Sequence, residues 1–178
     1  MGKIICIVIA ILAILGIIIV SIYNKIQYSI IKLNKSDSNI QKALNDKYYV
    51  LERYIDMIVH KISINDDSFK IFNEIDLEKI SNIDLDRILL ETYNDIKMLI
   101  ENNKKDLKDI NFKDIDKEIF NLDIVINSCK KYYNEKLIIY NKLINYFPTN
   151  IMAKILKCKE KEYYLEEQKE ELKILKEK

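Results

Sequence analysis

From Ile4 to Ile22 no residue carries a charge, and all but three of the side chains are Ile, Val, Leu or Ala. At about 1.5 Å per residue, a helix of this length roughly crosses the ~30 Å hydrocarbon core of a bilayer. In lipid a helix satisfies all of its own backbone groups. Tyr23 follows directly, where an interfacial aromatic is expected. A cleavable secretory signal would carry a shorter apolar region of ~7–15 residues and end in a small-residue cleavage site. Ser21-Ile22-Tyr23-Asn24 is a poor one, so residues 1–22 read as an uncleaved anchor that crosses a cell membrane once. Lys3 precedes the span and Lys25, Lys32 and Lys35 follow it, a bias too small to decide the side of the soluble part. Gly2 lacks the Ser or Thr at position 6 that myristoylation favours, since Cys6 stands there. Cys6 in turn lacks the longer apolar stretch expected before a lipoprotein cysteine.

The rest of the chain must fold with few turn formers. Its 178 residues include two Gly and one Pro, whereas a β-rich fold with many tight turns draws on both. Gly-rich phosphate loops are excluded too, because Gly2 and Gly16 have no partner at useful spacing. Apolar residues at 49% and charged residues at 32% suffice for a core and a solvated face, so the expected class is all-α. Lys plus Arg total 29 against 28 for Asp plus Glu, and the net charge of +1 lacks the cationic surplus of a nucleic-acid binder.

After the span, apolar residues recur at Ile26, Ile30, Leu33, Ile40, Leu44, Leu51, Ile55, Ile58 and Ile62. With Asp37 and Lys47 filling the gaps, the steps alternate between four and three except for two successive fours at Lys47–Leu51–Ile55. This is a coiled-coil-like seam with two polar interruptions. No Pro or Gly lies between Ile17 and Ile62, so one long helix is expected to leave the membrane, with about 55 Å of it outside. Asn65, Asp66, Asp67 and Ser68 supply turn chemistry over residues 63–68. Phe69, Phe72 and Ile75 then share a helical face, and a further stretch carries Leu85, Ile88, Leu89, Ile96 and Leu99. These are one helix or two, with Asp76, Asn82 and Asp84 as candidate caps. The polar run from Asn102 to Asp109 reads as a loop.

A second long stripe follows at Phe112, Ile115, Ile119, Leu122, Ile126, Cys129, Tyr133, Leu137, Tyr140, Ile144 and Phe147, in steps of three and four with one slip. Pro148 ends it, since proline cannot continue the hydrogen-bond ladder. Thr149 or Asn150 should cap a last helix carrying Ile151, Ile155 and Cys158, with a charged helical tail beyond. Packing the two long stripes against each other gives an antiparallel three-to-four-helix bundle over residues 23–166, and residues 167–178 form the tail.

Little catalytic chemistry can be assembled from these residues. His60 is the only histidine, which excludes a multi-His metal site. Cys6, Cys129 and Cys158 lack metal-ligand spacing; Cys129 reads as a small buried hydrophobe, with a Cys129–Cys158 disulfide as the alternative. Asp109, Asp114, Asp116 and Glu118 resemble a calcium loop in composition alone, since no Gly supplies the sharp turn. No Ser sits in a Gly-flanked elbow. No catalytic residue, cofactor or metal is therefore expected. Tyr133-Asn134 and Tyr140-Asn141 lie seven residues apart on one helix face. They read either as seam tyrosines with amides for inter-helix hydrogen bonds, or as the lining of a polar pocket.

At these residues the sequence resembles the LemA family of bacterial membrane proteins. Tyr133-Asn134 through Tyr140-Asn141, then Phe147-Pro148, Asn150 and Ala153, are similar to the family's "YN…V..YN..I..FP.N..A" block. Tyr23-Asn24 through Ser38, Ile40 and Leu44 resemble its stretch after the anchor, and Asp106-Leu107-Lys108 with Asn111-Phe112 resemble its "DLKAN.NF" turn. The chain departs from the family at an Arg-Arg pair, replaced by Asp46-Lys47, and at "IPN", replaced by Leu51-Glu52-Arg53. A Pro before "DLK" and a Gly near Lys157-Cys158 are also missing. The resemblance implies a single-pass membrane protein with a soluble helical bundle and a bacterial origin, and no enzymatic activity to carry over. It also implies a link to envelope metalloproteases or TPM-domain proteins.

The leading expectation is a membrane-anchored, non-enzymatic bundle, held in the bilayer by residues 4–22 and acting on a protein partner, a second copy or the membrane. The alternative is a sensor or small-ligand module with a polar inter-helix pocket near Tyr133, Asn134, Tyr140 and Asn141.

Overall fold

The computed structural model describes residues 1–62 and 69–164. Within them lie five helices and no strand: α1 (Gly2–Ile62), α2 (Lys70–Asn73), α3 (Asn82–Asn102), α4 (Lys113–Asn145) and α5 (Thr149–Ile155). The expected turn over residues 63–68 and the tail over 167–178 fall outside the described residues.

The expected long helix is present. α1 runs unbroken for 61 residues, about 90 Å at the usual rise. Residues 1–21 are exposed throughout, and this end of α1 is long and apolar enough to cross a membrane. Burial begins at Ile26, which is completely enclosed.

The chain divides into two compact units, Met1–Asp37 with the described residues from Lys131 onward, and Ser38–Lys130. In Ser38–Lys130, the core joins Ile40, Leu44, Leu51, Tyr54 and Ile58 of α1 to Leu85, Leu89 and Ile96 of α3 and to Ile119 and Ile126 of α4. Two ion pairs, Lys47–Asp123 at 2.6 Å and Arg53–Glu118 at 2.7 Å, set α4 antiparallel to α1. Lys97–Asp116 at 2.9 Å and Lys130–Asp86 at 2.6 Å do the same for α3 and α4. The all-α bundle expected from the two stripes is what forms.

The middle segment is two helices. α2 is a single turn, so Phe69 and Phe72 are buried while Ile75 lies past its end and is half-buried. None of the three candidate caps starts α3. Ser81 does, its hydroxyl accepting the Asp84 N–H at 3.1 Å while donating to the Asp84 carboxylate at 2.6 Å. Asp76 instead holds the preceding turn by accepting from the Glu78 N–H at 3.1 Å. The expected loop after Asn102 is present, with Leu107 tucked into the core.

The second stripe needs three corrections. Phe112, just before α4, and Leu122 and Cys129 within it are half-buried. Phe147, beyond the end of α4, is 80% exposed. Lys130 takes the buried place assigned to Cys129, so Ile126, Lys130, Tyr133, Leu137, Tyr140 and Ile144 alternate by four and three with no slip. The lysine stem can bury while its ammonium reaches Asp86, which leaves the neighbouring thiol at the edge of the seam.

In the unit holding Met1–Asp37, Pro148 does end the helix, since α4 stops at Asn145. Pro148 itself occupies the cap position of α5. The Thr149 hydroxyl donates backwards, to the carbonyls of Leu143 and Tyr146, closing α4 and leaving the start of α5 uncapped by any side chain. α5 is short; Ile151 and Ile155 are exposed, Ala153 is buried, and the helix ends before Cys158. Residues 158–163 are not helical, contrary to the helical tail expected there. All three cysteines are free, so Cys129 and Cys158 are not bridged.

Candidate functional site

Seven residues make nearly two helical turns, so Tyr133, Asn134, Tyr140 and Asn141 fall on one face of α4. All four are buried there. Three of them, Tyr133, Asn134 and Tyr140, meet the chain's own continuation beyond α5.

α5 closes through a paired backbone turn. The Lys157 N–H donates to the Lys154 carbonyl at 3.1 Å, and the Cys158 N–H reaches back to the Ala153 carbonyl at 2.9 Å. This is the Schellman arrangement, which places its penultimate residue in the left-handed region. Lys157 sits there with φ 54°, at the place where the resemblance leads one to expect Gly. The turn sends residues 158–164 back along α4. The Lys159 carbonyl accepts from the Tyr140 hydroxyl at 2.9 Å, and the Glu160 carboxylate accepts from the Asn145 amide at 2.5 Å. Further on, the Tyr164 N–H donates to Asn134 Oδ1 at 3.1 Å.

Tyr164 finishes this clasp. Its ring stands edge-on to Tyr133, with centroids 4.8 Å apart at 85°, a favourable aromatic geometry. Its hydroxyl donates to the carboxylate of Asp37, one of the two polar interruptions in the first stripe. Lys161 reaches Asn34 Oδ1 at 3.3 Å. The clasp therefore joins α1 and α4 by side chains whose partners lie 30 and 127 residues away.

Burial pushes the Tyr133 phenol up to about 12, with Asp37 and Tyr140 adding to the effect. Burial likewise raises Tyr140, helped by the neighbouring Cys158 and opposed by the Lys159 backbone. Among the described residues, Asn141 Oδ1 and Asn150 Oδ1 are buried without a hydrogen-bond partner. The signature residues thus divide: Tyr133, Asn134 and Tyr140 grip the clasp, Ala153 anchors its turn, and Phe147 and Pro148 form an exposed corner. The Asn134 amide oxygen accepts from the irregular chain beyond α5.

Nothing in this arrangement joins a nucleophile to a base. His60 is exposed. Among the described residues no three His, Cys, Asp or Glu side chains converge on a metal position. The acidic run near Asp116 serves packing: Asp116 accepts from Tyr54 at 2.9 Å, from Tyr93 at 3.4 Å and from Lys97 at 2.9 Å. Burial, followed by this bond, pushes the Tyr54 phenol far above its ordinary value. Glu118 pairs with Arg53.

A cavity of about 310 Å³ does open beside this face, through Tyr132, Lys136, Ile139 and Leu143 and not through the four residues expected to line one. Its signal was present in the sequence as Tyr28-x-x-x-Lys32 and Tyr132-x-x-x-Lys136, an aromatic and a cation one turn apart on each long helix.

A family model described as the LemA family matches residues 78–175. The match takes in α3, α4, α5 and the clasp, whereas the block from Tyr23 to Leu44 precedes it. No curated protein and no solved structure matches the chain.

Proposed function

The chain belongs to the LemA family, and from that membership we propose that it is a single-pass, membrane-anchored helical bundle of the bacterial envelope that acts through protein or membrane contacts and catalyses no reaction. The observation that carries this reading is α1 itself. One helix holds an exposed, uncharged stretch over residues 4–22 and, from Ile26 on, a buried stripe. A candidate membrane segment and a packing face thus belong to the same helix. In Ser38–Lys130, Tyr49, Phe120, Ile124 and Val125 are large apolar side chains left exposed, the kind of surface that a partner protein or a second copy covers. By family analogy, an envelope metalloprotease or a TPM-domain protein belongs among the partners to be tested. A sensor with a pocket at Tyr133, Asn134, Tyr140 and Asn141 has less support, because the clasp takes the Tyr140 hydroxyl and the Asn134 carbonyl. The test is crosslinking in intact membranes followed by pull-down, alongside alkaline carbonate extraction. Specific crosslinked species and retention in the carbonate pellet are expected. Release by carbonate, or crosslinking to nothing, defeats the reading.

A further inference from the structure

The cavity beside the clasp has a charge and a position that together select a ligand. Among the described residues its lining holds Lys25, Lys32 and Lys136, with Tyr28 and Tyr132, and no carboxylate. Lys32 Nζ lies 5.2 Å from the Tyr28 ring centroid, and Lys136 Nζ lies 4.5 Å from that of Tyr132. Stacking over a ring directs each ammonium and leaves its remaining N–H donors for an acceptor.

Position follows from helix rise. Lys25 stands about 4.5 Å, Tyr28 about 9 Å and Lys32 about 15 Å beyond Ile22, the last residue of the apolar run. The headgroup layer of one leaflet is ~5–8 Å deep, so the cavity begins inside it at Lys25 and its upper end, at Lys32, stands about 7–10 Å above, a distance that a lysine stem largely spans. Tyr164 ties Asp37 level with Tyr133 and Asn134, and lower on α1 the stretch from Lys25 to Lys32 faces Tyr132 to Leu143 across the cavity, so α4 descends towards the membrane as its numbers rise. The apolar wall of Ile139 and Leu143 is therefore at the membrane end, and Lys136 and Tyr132 are above it. An apolar wall at the membrane end, with Lys25 beside it and Lys32 and Lys136 above, fits a group that is anionic at one end and hydrocarbon at the other. A free anion would leave that wall uncovered.

We propose that this cavity binds the phosphate headgroup of an anionic phospholipid drawn from the leaflet in which α1 is anchored. The inference rests on the anchoring proposed above and gives the membrane contact a chemical class. Juxtamembrane lysines attract anionic lipid wherever they lie, so the test must separate a built site from diffuse charge.

The full chain is reconstituted into nanodiscs of phosphatidylcholine mixed with phosphatidylglycerol, and the lipid retained after detergent release is counted by native mass spectrometry. Phosphatidylglycerol should be retained over phosphatidylcholine. The double variant Lys32→Ala/Lys136→Ala should lose that retention about tenfold or more. Lys35→Ala/Lys142→Ala removes the same charge from exposed positions outside the cavity and should change it less than about twofold. Lys32→Arg/Lys136→Arg keeps the cations and should retain lipid, which guards against a fold defect in the alanine pair. Equal losses in both alanine pairs, equal retention of the two lipids, or displacement of lipid by inorganic phosphate would each overturn the proposal. Carbonate extraction of the same vesicles separates the two readings. A chain that resists extraction yet shows no lipid preference overturns the headgroup site alone; a chain that is extracted overturns the anchoring beneath it.

Discussion

Lys47 Nζ lies 2.6 Å from Asp123 Oδ1, with the lysine side chain 4% exposed and the carboxylate 40% exposed. Lys47 is the second polar interruption of the first stripe. Its place in the seam is sustained by a carboxylate 76 residues away. Removing that partner strands a charge among Leu44, Leu51 and their neighbours, whereas removing the charge itself does not. Asp123→Ala should therefore cost about 2–4 kcal/mol. Lys47→Met, of similar length and uncharged, should stay within about 1 kcal/mol of the parent or exceed it. Urea denaturation of the full chain in mild detergent, followed by far-UV circular dichroism, reads both. Equal losses would mean that the pair is not the determinant.

Lys157 closes the Schellman turn with φ 54°, a region where a Cβ meets the following carbonyl at a cost of roughly 1–2 kcal/mol. Glycine escapes that cost but gives up more freedom on folding. Lys157→Gly should raise stability by up to about 1 kcal/mol, while Lys157→Val should lower it by at least as much. A melting temperature that falls for Gly would show that the lysine contributes contacts outweighing its backbone.

Much of the fold is legible because the stripes are periodic, and Ile26, Leu33, Ile40, Leu44, Ile119 and Ile126 are buried as their spacing requires. What a hydrophobicity pattern misses is a polar residue whose burial depends on a distant partner. Lys130 is sealed because Asp86, 44 residues away, accepts its ammonium, and no local spacing announces that. The clasp was hidden for the same reason. Residues 159–162 alternate Lys and Glu and read as a solvated helix, while their fold is set by Asn34, Asp37, Asn134, Tyr140 and Asn145. The corrected face makes its own prediction. Ile126→Asp, at 2% exposure, should unfold the unit Ser38–Lys130. Leu122→Asp, at a half-buried position, should cost at least about 1–2 kcal/mol less. Identical melting temperatures for the two would place the core on another face.

The Tyr133 phenol gives the fold a limit on the alkaline side. Its pKa is pushed up to about 12 by burial, from 10.0 for an ordinary phenol. Below pH ~10 both folded and unfolded states hold the proton, and the full stabilisation is present. As pH rises from there through the folded value, the unfolded chain releases its proton first and stability declines. Tyr133→Phe removes this titration, so its loss of stability across that window should be shallower than the parent's. Lysines and the other tyrosines titrate in both proteins, so the difference between the two profiles isolates Tyr133. Parallel profiles would show that this phenol is not enclosed.

The clasp should be part of the fold and not a loose end. Tyr164 brings an edge-to-face contact with Tyr133, worth about 0.5–1.5 kcal/mol. It also brings a hydrogen bond to the Asp37 carboxylate, worth about 1.5–3 kcal/mol for a charged acceptor. Allowing for exposure, Tyr164→Ala should cost about 2–3 kcal/mol. Tyr164→Phe should lose only the hydroxyl's share. Ending the chain after Leu156 removes every rung of the clasp and uncovers Tyr133, Asn134 and Tyr140, so it should lower stability further. Ending it after Glu166 keeps all of those contacts and should leave the melting temperature within a degree or two, about what a change of a few tenths of a kcal/mol produces. Thermal melts of the four proteins in the same detergent decide between the outcomes. If the Leu156 truncation melts like the parent, residues 158–164 lie on the surface without holding α1 to α4, and the signature tyrosines owe their burial to the helices alone.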